Sequence, residues 1–589
     1  MESPRAQWGS RAGFILAAAG SAIGLGNIWK FPYITGENGG GLFVIIYLVC
    51  IALVGIPIMM AEIMIGRAAQ KQPVGAFETL QGKKTGWSMV GWMGVLAGFI
   101  ILSYYIVVAG WAMDYTLKSV VNFSNPIHEK ATVEAMEYRA TTDLGTMRTM
   151  LSDRDATRSV KNEISGIRNQ SKPSVWEGYA RYQAVIQAKG DTPEIRERLL
   201  SNPELRDQVE EAEALLPDIA AARLKAQERA IAHFDSLPDE EILNLAEDVI
   251  RRAAIFQSVQ GAFLSTAGDG WTCTFWALLF MLITILIVSG GISKGIERTC
   301  RVLMPTLFVL LLVMVGYGAF QPGFGQGLSF IFKPDVSKLE ASGVLEALGH
   351  AFFTLSLGMG AMITYGSYQQ SKSGLVGQSI IIAVLDTAIA LLACLMIFPI
   401  IFTYDQEPAA GPGLVFMSMP LAFAEIGKGG MLLAIFFFGL LVFAALTSAI
   451  SLLEVVASYF IDQLKWSRNR AAWLLGGAIF LFSIPSAFSL DPNFAMSGWE
   501  PSFGKNFFDT MDYLASNWML PLGGLLISVY AGWIMPKRLR AAEVEGLAPA
   551  IFGGWLILVR FVAPILVVVV LMQKVGIIDA NEIFHGLFH

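Results

Sequence analysis

The sequence predicts an all-α membrane protein with about eleven transmembrane helices, and three observations support this. Of 589 residues, 54% are hydrophobic and only 15% are charged, whereas soluble domains average about 25% charged residues. The apolar residues form runs of about 20 or more, which is the length a helix needs to cross a bilayer core. The first and the sixth of these runs have glycines at their centres. This composition disfavours a soluble enzyme, a disordered chain and, at a net charge of −6, a nucleic-acid binder.

We number the predicted spans 1 to 11 along the chain. Their approximate bounds are 12–36, 42–67, 87–117, 271–289, 298–319, 345–371, 377–403, 430–462, 471–487, 508–535 and 549–573. We expect no cleavable signal peptide, because the first apolar run continues into a long span without a small-residue cleavage site. Cytoplasmic loops are rich in Lys and Arg. With the N-terminus in the cytoplasm, 16 of these residues fall in inside segments and five in short outside segments.

An odd number of spans places the C-terminus outside. We therefore expect a multi-pass protein of the plasma membrane, which in a bacterium is the inner membrane. Composition further divides the chain into spans 1–3 (1–118), an insert (119–270), and spans 4–11 with a short tail (271–589). The insert holds 43 charged side chains, nearly half of the chain's 42 basic and 48 acidic residues.

The insert follows span 3 and lies outside the membrane in this topology. Apolar residues at three- and four-residue spacing in 194–216 and 240–255 predict helices there. The insert is either a solvated helical cap or a docking or gating domain, which could contact a partner or a second copy of the chain. The sequence does not decide between these two roles.

Spans 1 and 6 are each interrupted by small residues. Span 1 contains the run Gly20 to Asn27 (GSAIGLGN), and span 6 contains Ser356 to Gly360 (SLGMG). Glycine disfavours a helix by up to ~1 kcal/mol per residue, and backbone groups freed from a helix persist in a membrane only beside protein or a polar cavity. The alternative is close packing through small residues. Two breaks five spans apart favour two repeats, spans 1–5 and 6–10, with a binding site between them.

The breaks supply groups that suit a carboxylate and a hard cation. Half-helix N-termini offer N–H groups and partial positive charge to an anion. Freed carbonyls, with the side-chain oxygens of Asn27 and Thr354, suit a cation that prefers oxygen ligands. Asp386 lies deep in span 7, where a charge costs about 3 kcal/mol or more, so it is a functional candidate. Thr447 and Ser448 in span 8 could ligate a cation or bond their own helix.

Three other polar residues within spans have two interpretations each. Glu62 and Glu454 are intramembrane acids that suit either a functional site or hydrogen bonds between helices. His350 is either a functional group or a packed core histidine. No metal-binding His/Glu motif, nucleophile elbow or phosphate loop occurs in a plausible context, so we predict that the chain is not an enzyme.

Four motifs resemble the neurotransmitter:sodium symporter family, and in particular its bacterial amino-acid transporters of the leucine-transporter type. They are Trp8 to Arg11 (WGSR), the run from Gly20 to Pro32, Glu37 to Gly41 (ENGGG), and Phe352 to Gly358 (FFTLSLG). The resemblance extends over spans 1 to 11. It implies an inverted-repeat fold of five plus five spans, with spans 1 and 6 unwound at the midplane, that works as a sodium-coupled symporter by alternating access.

The resemblance also implies two sodium sites, a substrate site and two gates. The first sodium site comprises Ala22, Asn27, Thr354 and Asp386, and the second comprises Gly20, Ile23, Ala444, Thr447 and Ser448. The substrate site comprises Ser21, Leu25, Gly26, Ile101, Tyr105, Phe353, Ser356, Met359, Ser448 and Leu452. The outer gate comprises Lys30 and Asp512, and the inner gate comprises Arg5 and Asp462 beside Trp8 and Tyr368.

Two departures from the family bear on substrate and anion. Amine-transporting relatives have an aspartate where this chain has Gly24, so we expect neutral L-amino acids with hydrophobic or aromatic side chains. Many relatives have asparagine where this chain has Asp386. Of the chloride-binding set only Tyr47 matches, because His350 and Ala390 replace a glutamine and a serine. We therefore predict that no chloride is required and that Asp386 is the internal anion. The alternatives are another small zwitterion (taurine, a γ-amino acid or an osmolyte) or a non-transporting sensor.

Overall fold

The computed structural model describes residues 6–83, 85–121, 124–168, 170–171, 173–189, 192–334, 341–369, 374–404, 413–492, 499, 504–543, 548–575 and 577–578. Within these residues every regular element is helical, apart from one isolated backbone bridge between Gly40 and Pro334. The chain divides into two compact units, Met1–Ile127 with Gln257–His589, and His128–Phe256. The prediction of an all-α protein is confirmed.

The first unit contains the apolar helices. Nine helices among the described residues are long and apolar enough to cross a membrane: Gly41–Ala69, Ser88–Val120, Gly270–Ser289, Ile292–Ala319, Leu375–Thr403, Leu414–Leu464, Arg468–Ala487, Phe507–Ile534 and Pro549–Gln573. Span 1 adds a tenth as the bent pair Arg11–Ala22 and Gly26–Glu37. Span 6 consists of two shorter helices, Ala341–Thr354 and Ala361–Gly366. Pro73–Gln81, Phe324–Phe332 and Lys537–Glu543 are short helices between spans.

Span 5 begins before its predicted start. It is predicted from residue 298 but begins at Ile292, because Gly291 adopts a φ of +86° that turns the chain directly after span 4. Span 8 is predicted from residue 430, and its helix does run from Gly430 to Leu464. The short helical segments Leu414–Ser418 and Met419–Ile426 precede it, and a 3-10 turn at Gly427–Gly429, with a φ of +70° at Gly427, separates them from the span. Hydropathy does not report such backbone turns.

Asp269 begins span 4 as an N-cap. Its carboxylate accepts hydrogen bonds from the backbone N–H groups of Trp271 and Thr272, both at 3.3 Å. The Thr272 hydroxyl also donates to Asp269, and this bond lowers the pKa of the Asp269 carboxyl below its usual range. The cap satisfies N–H groups that have no partner within the helix.

The second unit lies within the region predicted as the insert. Helices Ser124–Thr141, Leu144–Arg168, Pro173–Lys189, Pro193–Leu200, Pro203–Ser236 and Asp239–Ala267 span this part of the chain. Two apolar clusters stabilise the unit, one of Met147, Leu151, Phe234, Ile242 and Ala246, the other of Ala156, Val160, Ala226 and Ala230. Arg139 and Glu247 add an ion pair of 2.7 Å. The location of this region outside the membrane stays a prediction.

Span 2 and the second helix of span 6 pack closely through two buried glycines. A Cβ atom on Gly366 would lie 2.6 Å from the carbonyl oxygen of Ile63, and one on Gly66 would overlap the backbone of Ile363. Small residues of this kind let two membrane helices approach backbone to backbone. The contact fixes the helix that follows the break in span 6.

We expect Gly366→Ala to destabilise the protein by about 1–3 kcal/mol, because the added methyl group meets a backbone that cannot rotate away. Gly553→Ala in span 11 is the matched control, since nothing lies within 4 Å of its added Cβ and alanine favours a helix. Thermal unfolding of both purified variants in detergent measures the difference. Equal unfolding temperatures would contradict the proposed packing.

Candidate substrate and ion site

The break in span 1 is stabilised by side chains, and the span bends there by 53°. The amide oxygen of Asn27 accepts a hydrogen bond from the N–H of Gly24 at 3.0 Å, and the N–H of Leu25 donates to the Tyr105 hydroxyl at 3.1 Å. A Cβ atom on Gly24 would lie 2.8 Å from Ser448 Oγ and 2.9 Å from the Tyr105 hydroxyl. A side chain at this position would therefore have to displace the hydroxyl group of span 3 or of span 8.

The break in span 6 depends on unusual backbone conformations. Ser356, Gly358 and Gly360 have φ values of +54°, +80° and +75°. Glycine adopts such values without strain, whereas a residue with a side chain rarely does. The buried carboxylate of Glu62 accepts a hydrogen bond from the N–H of Gly358 at 2.7 Å. Of the two interpretations of Glu62, the structure shows the hydrogen bond between spans.

The side chains predicted for the first sodium site meet around the carboxylate of Asp386. Nδ2 of Asn27 and the hydroxyl of Thr354 each lie 2.8 Å from its Oδ1, and the Tyr47 hydroxyl lies 3.3 Å from its Oδ2. Asp386 is fully buried, and within the described part of the chain no basic side chain pairs with it. Because a buried unpaired charge is costly, a cation bound among these oxygens would stabilise the cluster.

The atoms predicted for the second sodium site lie between spans 1 and 8. The Ser448 hydroxyl is 3.4 Å from the carbonyl oxygens of both Gly20 and Ile23. The neighbouring Thr447 hydroxyl donates to the carbonyl of Ala444 at 3.0 Å. Hydroxyl and carbonyl oxygens are suitable ligands for a hard cation. Thr447 also satisfies its own helix, so both interpretations of this residue fit the geometry.

A small cavity lies between the two breaks, and all ten residues predicted for the substrate site line it. The lining residues are Ser21, Ala22, Gly24, Leu25, Gly26, Asn27, Ile101, Tyr105, Phe353, Thr354, Ser356, Met359, Ser448, Ser451 and Leu452. The cavity leaves about 20 Å³ for the centres of water-sized molecules. A larger space of about 150 Å³ lies beyond it, and Phe353 and Tyr105 line both spaces.

The structure does not pair the two residues predicted for the outer gate. The ammonium group of Lys30 lies 5.2 Å from the ring centre of Phe353. The carboxylate of Asp512 accepts hydrogen bonds from the hydroxyls of Tyr104 at 2.9 Å and Ser516 at 2.8 Å. Lys30 and Asp512 nevertheless line the same outer cavity.

The predicted inner gate is described in part, because Arg5 lies outside the described residues. Asp462 accepts a hydrogen bond from the N–H of Gln72 at 3.2 Å. The backbone N–H of Trp8 donates to the carbonyl oxygen of Tyr368 at 3.2 Å. The segment before span 1 is therefore attached to the end of span 6.

Glu454 connects three elements near this gate. Its carboxylate accepts a hydrogen bond from the Tyr368 hydroxyl at 2.6 Å and forms a bidentate ion pair with Arg468, with distances of 2.6 and 3.0 Å. Glu454 is fully buried and the Arg468 side chain is 20% exposed. Of the two interpretations of Glu454, the structure shows the hydrogen bonds between helices. Glu454 lies in span 8 and bonds Tyr368 of span 6 and Arg468 of span 9.

Three polar residues of this region were not among the predicted site residues. Ser451 lines the cavity, Arg468 pairs with Glu454, and the buried carboxylate of Glu297 accepts a hydrogen bond from the N–H of Gly9 at 2.7 Å. A serine in an apolar helix and charged residues near helix ends occur in many other contexts. The sequence did contain one signal for Arg468. Glu454 is an intramembrane acid, and such an acid needs a basic or hydrogen-bonding partner.

The comparisons with known proteins agree with this geometry. A profile described as the sodium:neurotransmitter symporter family matches residues 5–163 and 264–585. The chain belongs to this family. Residues 164–263 of the insert lie between the two matched segments. The chain is therefore a sodium-dependent membrane transporter and not an enzyme, as the resemblance implied.

Individual relatives are similar along most of the chain. The uncharacterized sodium-dependent transporter YhdH of Bacillus subtilis (strain 168) is 29% identical, with 98% of this chain and 99% of YhdH covered. The crystal structure of MhsT in complex with L-phenylalanine matches with a TM-score of 0.69 and 35% identity, covering 97% of this chain and 99% of MhsT. Sodium- and chloride-dependent glycine transporter 2 of Xenopus laevis is 25% identical over 78% of this chain and 51% of its own length.

We expect Arg468→Ala to destabilise the protein by about 3–5 kcal/mol, because it leaves the buried Glu454 carboxylate without a cation. Arg538→Ala is the control, since Arg538 is exposed and surface substitutions change stability by about 0.5 kcal/mol or less. Thermal unfolding in detergent measures both. Adding Glu454→Gln to Arg468→Ala should recover part of the loss, and no recovery would argue against the unpaired charge as its cause.

Proposed function

We propose that this protein imports neutral L-amino acids with hydrophobic or aromatic side chains, coupled to sodium and independent of chloride. The observation that carries the proposal is the buried carboxylate of Asp386, 2.8 Å from Asn27 of one break and 2.8 Å from Thr354 of the other. A cation held there joins the two broken spans on either side of the cavity. Sodium binding and closure around a substrate are then one event.

The cavity supports a substrate that brings its own carboxylate and an uncharged side chain. Leu25 and Gly26 begin the second helix of span 1, whose positive end attracts an anion. None of the described lining residues is charged, so a charged side chain would lose its water without gaining a partner. Met359 and Leu452 offer an apolar wall. L-Phenylalanine in MhsT is a ligand of this kind.

Two sodium ions would supply enough energy for accumulation. Each positive charge that moves inward gains ~2.3 kcal/mol per 100 mV, and a tenfold sodium gradient adds ~1.4 kcal/mol per ion. For two ions the sum is about 7 kcal/mol, which corresponds to an accumulation limit of roughly 10⁵-fold for a neutral substrate. One ion would support only about 10²- to 10³-fold. The proposal includes both sodium sites.

Asp386 also supports transport without chloride. Its fixed negative charge can balance a bound sodium ion, which is the role an anion would otherwise have. His350 occupies one of the positions where chloride-dependent relatives have a polar ligand, and its ring stacks on that of Phe31 with centroids 5.6 Å apart. The proposed topology keeps the N-terminus inside and the insert outside.

We expect purified protein in proteoliposomes to accumulate labelled leucine or tryptophan only when an inward sodium gradient is imposed. An excess of unlabelled hydrophobic or aromatic amino acids should compete, and lysine or glutamate should not. Stronger competition by taurine or a γ-amino acid would replace this substrate class with the alternative one. Sodium-dependent binding without accumulation would instead identify a sensor.

We expect replacement of chloride by gluconate to leave this uptake unchanged, because the internal carboxylate supplies the negative charge. Asp386→Asn should lower uptake at least about tenfold at equal sodium, since one charge in a buried site is worth more than 1.4 kcal/mol. Ser379→Ala on the same helix is the control, because its hydroxyl bonds the Leu375 carbonyl of its own helix. Loss of uptake in gluconate would contradict chloride independence.

A further inference from the structure

Four serines meet on one wall of the substrate cavity. Ser21, Ser356, Ser448 and Ser451 all line it, and each is at most 7% exposed. They come from spans 1, 6 and 8. Asn27, Tyr105 and Thr354 also line the cavity, but Asn27 and Tyr105 bond the break in span 1 and Thr354 bonds Asp386.

The hydrogen bonds within this group use the hydroxyl hydrogens. Ser356 donates to the carbonyl oxygen of Ser21 at 2.8 Å, and Ser451 donates to the carbonyl oxygen of Ser448 at 2.7 Å. Ser21 donates to the hydroxyl oxygen of Ser451 at 2.7 Å and lies 3.3 Å from that of Ser356. Ser448 lies 3.2 Å from the carbonyl oxygen of Ser21.

A hydroxyl group has one donor and two acceptor lone pairs. Because each hydroxyl donates to an oxygen of the protein, the capacity that remains is acceptor capacity. The Ser21 oxygen accepts no hydrogen bond from the described residues, and the Ser451 oxygen accepts one. The wall therefore presents acceptors beside the apolar side chains of Ile101, Met359 and Leu452.

We propose that Ser21 and Ser451 select amino acids whose apolar side chain carries a hydrogen-bond donor, such as the indole N–H of tryptophan. This inference rests on the proposed function and specifies its substrate class. A donor that enters the cavity loses water and regains an acceptor. A ring of the same size without a donor covers the serine oxygens and leaves them without a partner, which costs binding energy.

The test compares two ligands of matched shape, L-tryptophan and 3-(3-benzothienyl)-L-alanine, in which sulfur replaces the indole N–H. Calorimetric titration of the purified full chain in sodium gives both affinities. We expect tryptophan to bind about three- to tenfold more tightly, the ratio that one hydrogen bond supplies. The more hydrophobic benzothienyl ring would bind at least as tightly if the wall offered no acceptor.

Ser451→Ala provides the decisive variant. It removes one acceptor and releases the hydrogen of Ser21, so the preference for tryptophan should fall below twofold while the benzothienyl ligand keeps its affinity. Ser103→Ala is the matched control, because Ser103 is fully buried, bonds the Ile100 carbonyl at 2.7 Å and does not line the cavity. That variant should keep the wild-type ratio.

Three outcomes would overturn the inference. Equal affinities in the wild type, or unchanged affinities of both ligands in Ser451→Ala, would show that the serines do not read the side chain. Equal weakening of both ligands by Ser451→Ala would assign the acceptors to the α-ammonium group instead. These results leave the proposed function intact, whereas absence of sodium-dependent binding for both ligands would overturn the proposed function as well.

Discussion

The architecture depends on one constraint: backbone groups that leave a helix within a membrane must find other partners. Spans 1 and 6 meet this constraint with side chains from elsewhere in the chain. Asn27 and Tyr105 bond the break in span 1, and Glu62 bonds the break in span 6. Each partner comes from a defined position, so the two breaks are ordered rather than loose. An ordered break can present carbonyl and N–H groups to small ligands in a fixed arrangement.

The same constraint explains why charge is concentrated where it is. Asp386 is stabilised by hydroxyl and amide donors, Glu62 by a backbone N–H, and Glu454 by Arg468 and a tyrosine hydroxyl. Among the described residues, Asp386 is the acid of these three that accepts hydrogen bonds from side chains of both broken spans, Asn27 of span 1 and Thr354 of span 6. This difference separates the candidate ion ligand from two acids of similar burial whose partners are structural. A cation would be best accommodated at Asp386 for this reason.

Much of the fold and of the cavity could be predicted because the relevant signals are local. Apolar runs predict spans, glycines within them predict breaks, and a lone acid such as Asp386 is conspicuous in an apolar helix. Partners across space could not be predicted in the same way. Arg468 begins span 9 and counts as a loop charge in sequence, and Ser451 is indistinguishable from any serine that bonds its own helix. Whether Lys30 and Asp512 form an ion pair depends on the conformation that the protein adopts. A sequence does not specify a single conformation.

The close packing of two hydroxyl groups around Gly24 has a consequence for how substrate preference can change during evolution. An acidic side chain there would provide a counter-ion for an amine that lacks a carboxylate. The Tyr105 hydroxyl and Ser448 Oγ already occupy the volume that its first carbon would need. Tyr105 also bonds the break in span 1, and Ser448 lies at the predicted second sodium site. A change to either residue would therefore affect one of these features. A shift to monoamine substrates from this starting point therefore requires Tyr105 or Ser448 to move as well, which couples substrate preference to the break and to the ion region.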